Sequence, residues 1–228
     1  MKYPLRTIAL QTELFHPPTE PSPVHVQRVH NELFQTPDPA YKSFSFSPGG
    51  AVLSNPVARP GEVSTAAFLP DRFQFREELT SLTVDEFAER VRAISARVAE
   101  LSAVQVFTAQ QVTVRTLVNP RHFKDSREFL REGMFGFGDQ LESFGRKAEL
   151  YGLRLVFPPT PDEPNAHSLR VESFSSDARS LFLENQASFA PILVARGLDV
   201  LAQNVATAYG FLVERSLAFV GRFDQQQA

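Results

Sequence analysis

Residues 83 to 101 read Thr83-Val84-Asp85-Glu86-Phe87-Ala88-Glu89-Arg90-Val91-Arg92-Ala93-Ile94-Ser95-Ala96-Arg97-Val98-Ala99-Glu100-Leu101. This stretch predicts a helix whose start is encoded in its side chains. Thr83 can cap the first turn, and Glu86 stands three residues later, the spacing of a capping box. Leu82 and Phe87 flank the cap at the spacing of a hydrophobic staple. Phe87, Val91, Ile94, Val98 and Leu101 then step by four, three, four and three, which puts them on one face of about five turns. Glu86, Glu89, Arg90, Arg97 and Glu100 fall away from that stripe and belong in water. A stripe of this length has to be covered, so the rest of the chain must supply a sheet or a second helix.

Upstream, short alternating segments supply the sheet. Arg72-Phe73-Gln74-Phe75-Arg76 puts two Phe inward and Arg72, Gln74 and Arg76 outward. Pro70-Asp71 turns it back on the run from Val63 to Leu69. Tyr41 to Ser47 alternates Phe44 and Phe46 against Ser43, Ser45 and Ser47; Pro48-Gly49-Gly50 is a turn, and Ala51 to Ser54 a further strand. Thr7, Ile8 and Thr12 favour a strand over Leu5 to Phe15, closed by Pro17 and Pro18. Ser22 and Pro23 then open a helix with Val26, Val29, Leu33 and Phe34 on its apolar side.

Downstream, Val104 to Val118 is β-rich, with Val112, Val114 and Thr116 alternating against Thr113, Arg115 and Leu117 until Asn119-Pro120 breaks the run. Asp125 caps a short helix with Phe129, Leu130 and Met134 inward, and a further helical turn spans Asp139 to Phe144. Strands follow over Glu149 to Phe157, Ser168 to Ser173 and Ser180 to Glu184. Asp199 caps a last long helix whose stripe is Leu201, Val205, Ala208 and Leu212, and the tail from Asp224 to Ala228 reads as frayed.

Set in order, these elements predict an α+β chain of two pseudo-repeated units. Each unit is strand, helix, three strands, long helix, with antiparallel sheets covered on one side by helices. The units are residues 1–102 and 103–228, joined in one globular body. The warrant is the order of elements, since residue identity between the halves is too weak for a sequence repeat. The other side of the sheet then carries Arg72, Gln74, Arg76, Ser43, Ser45, Thr113 and Arg115. It is either a binding surface or the wetted side of an ordinary sheet.

Composition bounds the function. The chain has 228 residues, 43% hydrophobic and 21% charged, with 23 Lys+Arg against 26 Asp+Glu for a net charge of −3. These proportions describe a globular protein, and the near-neutral charge argues against bulk nucleic-acid binding, which draws on phosphate neutralisation. There is no Cys, which excludes disulfides, thiolate metal sites and cysteine nucleophiles. No stretch is apolar enough for a membrane span or a signal peptide, so a cytoplasmic location is expected. The chain has no Trp and 21 Phe, so Phe fills the core. Phe135, Phe137, Phe144, Phe174, Phe182 and Phe189 lie outside the helical stripes of the second half. If several stay exposed, a homodimer through this half is the simplest cover.

The densest polar cluster runs from Arg115 to Arg131 and spans a strand end, a Pro-punctuated loop and a helix start. Arg115, Asn119, Arg121, His122, Lys124 and Arg127 are the candidate ligand-binding residues, with an anionic small molecule as the ligand. Asp125 competes for the same helix N–H groups. No His/Glu cluster stands at metal-ligand spacing, so no metal and no cofactor are expected. A G-x-S-x-G elbow, a P-loop and a G-x-G-x-x-G fingerprint are also missing. The Gly136 and Gly138 pair lacks the strand-to-helix context of a phosphate loop.

Pro4-Leu5 at the first strand, Asp71-Arg72-Phe73 before the long helix, and Val112-Thr113-Val114-Arg115 with Asn119 at its end form an ordered set of landmarks. In this order the chain resembles a sporadically distributed family of microbial proteins of similar length. That family has no established activity, so the resemblance implies no catalytic residue. The residues therefore point first to a non-enzymatic binding or assembly component that recognises a partner or an anionic ligand. The alternative is an enzyme acting on a phosphorylated or carboxylated small molecule, with His122 and Asp125 as its acid/base candidates and Arg121 as anion clamp. An enzyme requires a closed pocket converging on His122 beside an acid, whereas a binding module requires a broad open face.

Overall fold

A computed structural model of the chain describes residues 3–19 and 22–225. Its centre is one antiparallel sheet of nine strands. The strands are β1 (Arg6–Phe15), β2 (Ser43–Ser47), β3 (Gly50–Ser54), β4 (Val63–Phe68), β5 (Arg72–Glu78), β7 (Ala109–Val118), β8 (Gly152–Phe157), β9 (Ala166–Ser173) and β10 (Leu181–Phe189). Their order is β2-β3-β4-β5-β1-β7-β10-β9-β8. The early strand β1 is therefore central, flanked by β5 and β7. A separate two-stranded ribbon joins β6 (Val106–Phe107) to β11 (Ile192–Leu193).

The sheet is built from the alternations read above. Phe73 and Phe75 are buried, while Arg72, Gln74 and Arg76 are half-exposed. The β4–β5 hairpin turns at Pro70-Asp71, where the Leu69 N–H donates to the Arg72 carbonyl at 2.8 Å. At the β2–β3 hairpin, Gly50 has φ +134°, and any Cβ there would run into the Phe68 carbonyl of β4. Only glycine fits that approach.

Helix α2 (Val84–Leu101) begins with the capping box. The Glu86 N–H donates to Thr83 Oγ1 at 3.3 Å, and the Thr83 N–H donates to Glu86 Oε2 at 2.8 Å. Phe87, Val91, Ile94 and Val98 are fully buried. Burial of these four contributes roughly 6–12 kcal/mol at about 1.5–3 kcal/mol each. The helix packs on β1, β5 and α4 (Asp199–Gly210). Helix α4 lies on β7 and β10, and α1 (Pro23–Phe34) lies on α2 and β3.

Several local readings change. Strand β8 begins at Gly152 and not Glu149, and β10 runs on to Phe189. Helix α3 (Ser126–Glu128) continues as a π-helical turn over Phe129–Met134. The last helix is also interrupted by a π-turn, Phe211–Ser216, before α5 (Leu217–Gly221). Asp199 is the first residue of α4 and makes no side-chain cap; it lies 3.5 Å from Arg92. Ser22 precedes Pro23 without a side-chain cap bond. The clearest correction is at the end of the chain. Asp224, read as frayed, is 2% exposed and held from three sides. Residues 226–228 of that tail lie outside the described residues. Of the six second-half Phe, Phe189 is buried, Phe144 is 73% exposed and the other four are half-buried. Among the described residues, no helix is long and apolar enough to cross a membrane.

Candidate functional site

One face of the sheet is polar from edge to edge. The registers align Ser43, Ser54, Thr65, Arg76, Gln11, Thr113, Gln186, Ser168 and Val156 in one row across all nine strands. A second row carries Ser45, Val52, Ala67, Gln74, Glu13, Gln111 and Ser188. The residues expected together on this face do share it, because side chains alternate strictly along each strand. Its charges are already paired within the sheet. Glu184 accepts from Arg115 at 2.6 Å and from Arg170 at 3.0 Å. Glu13 accepts from Arg72 and Gln74, and Glu78 from Gln11 and Arg76. Arg115 is therefore engaged by a carboxylate of its own chain.

The opposite face holds a buried polar seam under α4. Gln110 Nε2 donates to Thr12 Oγ1 and to the Leu201 carbonyl, both at 3.2 Å, while its Oε1 accepts from Asn204 at 2.8 Å. On the same face, beneath α2, Glu77 is buried and accepts from Arg90 at 2.8 Å, from Ser64 at 3.0 Å and from Tyr41 at 3.4 Å. Burial pushes the Glu77 carboxyl above its ordinary value, and the Arg90 guanidinium offsets only part of that.

Past β7, Asn119-Pro120 ends the strand and turns the chain into a niche filled by Asp224. The Asp224 carboxylate accepts from the backbone N–H groups of Arg121 at 2.9 Å and His122 at 3.0 Å, and from the Tyr3 hydroxyl at 2.7 Å. His122 Nδ1 lies 3.3 Å from the same carboxylate and 2.9 Å from the Asp224 carbonyl. The Arg121 guanidinium sits 5.5 Å from the Tyr3 ring centroid. Burial raises the Asp224 pKa, but the backbone donors of Arg121 and His122, the Tyr3 hydroxyl and the nearby His122 together outweigh it, and the group ends below its usual range. Asn119 accepts from Ser180 at 3.1 Å. The acid beside His122 is thus Asp224, while Asp125 caps α3 by accepting from the Arg127 and Glu128 N–H groups at 2.9 Å.

Lys124 and Arg127 lie apart from that niche. With Arg131 and Lys147 they line a cleft of about 450 Å³ that also holds Asp125, Glu128, Glu149 and Tyr151. Four of the lining residues are cations and three are carboxylates. Asp125 is committed to its cap, and Glu128 accepts from the Lys124 N–H at 2.7 Å. Arg131 leans on Glu132 at 2.6 Å. Among the described residues, Lys124, Arg127 and Lys147 make no ion pair, and the Arg127 Nε is enclosed without an acceptor. An apolar cleft of about 400 Å³, with Phe137, Leu141 and Phe144, adjoins it and shares Lys147, Ala148 and Tyr151. His122 lines neither cleft.

The six candidate ligand residues therefore divide among the open face (Arg115), the Asp224 niche (Asn119, Arg121, His122) and the cationic cleft (Lys124, Arg127). Sequence reading missed Asp224, which folds back from the far end of the chain, and Lys147, whose only signal was the Arg146-Lys147 pair after a glycine-rich bend. Among the described residues, no group of three His, Asp or Glu side chains converges to hold a metal ion. No protein-family model matches the chain, and no curated protein matches it.

Proposed function

We propose that the protein is a binding component that recognises an anionic group in the cleft beside α3. The observation that carries this reading is the concentration of Lys124, Arg127 and Lys147, without ion-pair partners among the described residues, on one cleft. Elsewhere the Arg side chains of the open face are matched to carboxylates, Arg115, Arg170 and Arg72 across strands and Arg76 along its own strand. A carboxylate or phosphate entering the cleft would meet charge that the fold has not neutralised, and Arg127 offers the planar donors suited to such groups. The adjoining apolar cleft leaves room for the body that carries the anionic group.

The same reading takes the fold as two related units, 1–102 and 103–228. Its support is the strand order. Moving out from the central pair, β1 is followed by β5, β4, β3 and β2, and β7 by β10, β9 and β8, so the first unit carries four strands after its first helix where three were expected. Each unit also ends in a long helix, α2 or α4, and these helices pack together.

Calorimetric titration of inorganic phosphate and of a series of monocarboxylates tests the binding reading. Saturable binding that weakens about tenfold in Arg127→Ala and again in Lys147→Ala is the expected result, the loss of one charge-assisted contact each. Absence of saturable binding, or binding indifferent to both substitutions, overturns it.

A further inference from the structure

A second cleft, sharing no lining residue with the cationic one, lies where β9 meets the π-turn after α4. It measures about 430 Å³ and is lined by Asp162, Glu163, His167, Phe211, Glu214 and Arg215 among others. Its most deeply placed polar group is His167, 6% exposed. The imidazole stacks on Phe211 with centroids 3.9 Å apart and planes within 9°. Phe157 packs on Phe211 in turn, so the ring is held on a rigid aromatic floor.

Its hydrogen bonds define its tautomer. The Asn185 Nδ2 donates to the Ala208 carbonyl at 2.8 Å, which turns Asn185 Oδ1 toward His167 Nδ1 at 3.3 Å. An amide oxygen only accepts, so Nδ1 carries the proton and Nε2 carries a lone pair. Nε2 has no hydrogen-bond partner among the described residues. Burial also lowers the pKa of His167 and keeps the ring neutral. The cleft therefore presents one rigid, unanswered acceptor, and whatever satisfies it has to be a donor.

The surrounding charge selects the donor. Glu163 pairs with Arg215 at 2.7 Å at the rim. Asp162 and Glu214 line the same cleft and make no ion pair among the described residues. Counting Asp162, Glu163 and Glu214 against Arg215 gives a local balance of −2. A metal ion is disfavoured by geometry, since no three ligating side chains converge among the described residues. We infer that this cleft is a binding site for an organic ammonium group, which donates an N–H to His167 Nε2 and places its charge between Asp162 and Glu214.

Titration of the ¹⁵N-labelled protein with n-butylammonium at pH 7.5 tests this, read from the ¹⁵N shifts of the His167 imidazole, with n-butanol and acetate as controls. The site predicts a saturable shift at Nε2 with the amine and none with either control. His167→Phe keeps an aromatic on Phe211 and removes the acceptor; it is expected to weaken binding about tenfold. The exposed pair Asp162→Asn and Glu214→Gln leaves the floor intact and is expected to weaken it by a similar factor, which keeps the test decisive if His167→Phe fails to fold. No saturable shift overturns the inference. So does an equal response to n-butanol, a proton found on Nε2 instead of Nδ1, or full affinity in the Asp162→Asn/Glu214→Gln variant.

Discussion

Asp224→Ala removes a carboxylate that the structure holds from three directions. The group is 2% exposed and accepts from Tyr3, Arg121 and His122 at 2.7, 2.9 and 3.0 Å. Hydrogen bonds to a charged group contribute about 1.5–3 kcal/mol each, and a stranded buried donor costs about 1–3 kcal/mol. The niche lies at the end of β7, where freed donors can rehydrate, so the full sum is not reached. A loss of about 3 kcal/mol is expected, comparable to breaking a buried ion pair. In a chain of this size about 1 kcal/mol moves Tm by about 2–4 °C, so Asp224→Ala should melt about 6–12 °C lower. Asp224→Asn keeps one acceptor oxygen and should lose about half as much. The pH dependence follows from the depressed folded-state pKa, where burial is outweighed by the combined backbone donors, Tyr3 hydroxyl and His122. Such a group contributes fully above the ordinary aspartate value of about 3.9, and the contribution is lost as pH falls through the folded value. Urea denaturation followed by circular dichroism should therefore show a deficit at pH 7 that shrinks below about pH 3.9. A variant within about 0.5 kcal/mol of the parent at pH 7 would refute the clamp, since that is the scatter of neutral surface changes.

Two further outcomes are expected. Thr83→Ala removes the hydroxyl arm of the α2 capping box, leaves the backbone N–H arm to Glu86, and should cost about 1 kcal/mol in the same denaturation assay, with the helix signal otherwise retained. Glu77 has the opposite pH sign from Asp224. Its folded-state pKa is raised by burial, so the folded state binds its proton more tightly. Stability should then fall as pH rises from about 4.3, the free value, through the folded value, and Glu77→Gln should flatten that slope. A stability profile between pH 4 and 7 unchanged by the substitution would contradict this assignment.

What was legible in the sequence was what is local. Thr83 and Glu86 announce α2 because a capping box is satisfied within one turn, and Phe73 and Phe75 announce β5 because a strand's period of two is fixed by its backbone. The shared polar face followed from the same period, since Arg76 and Thr113 each obey it on their own strand. The Asp224 niche was invisible because its partners, Tyr3, Arg121 and His122, are 221, 103 and 102 residues away. His167 carries no signal in the sequence because its tautomer is set by Asn185, on the neighbouring strand, and by a carbonyl of α4. The π-turns at Phe129–Met134 and Phe211–Ser216 carry no composition signal that distinguishes them from ordinary helix.

The central position of β1 bears on how a nascent chain reaches this fold. Its ten residues are made well before both flanking strands, residues 72–78 and 109–118. At about 5–20 residues per second, the first neighbour follows after several seconds and the second some seconds beyond it. Through that interval Leu10 and Leu14, both fully enclosed in the finished protein, have nothing to pair with. The molecule should accordingly depend on holdase protection during synthesis far more than on assistance once complete.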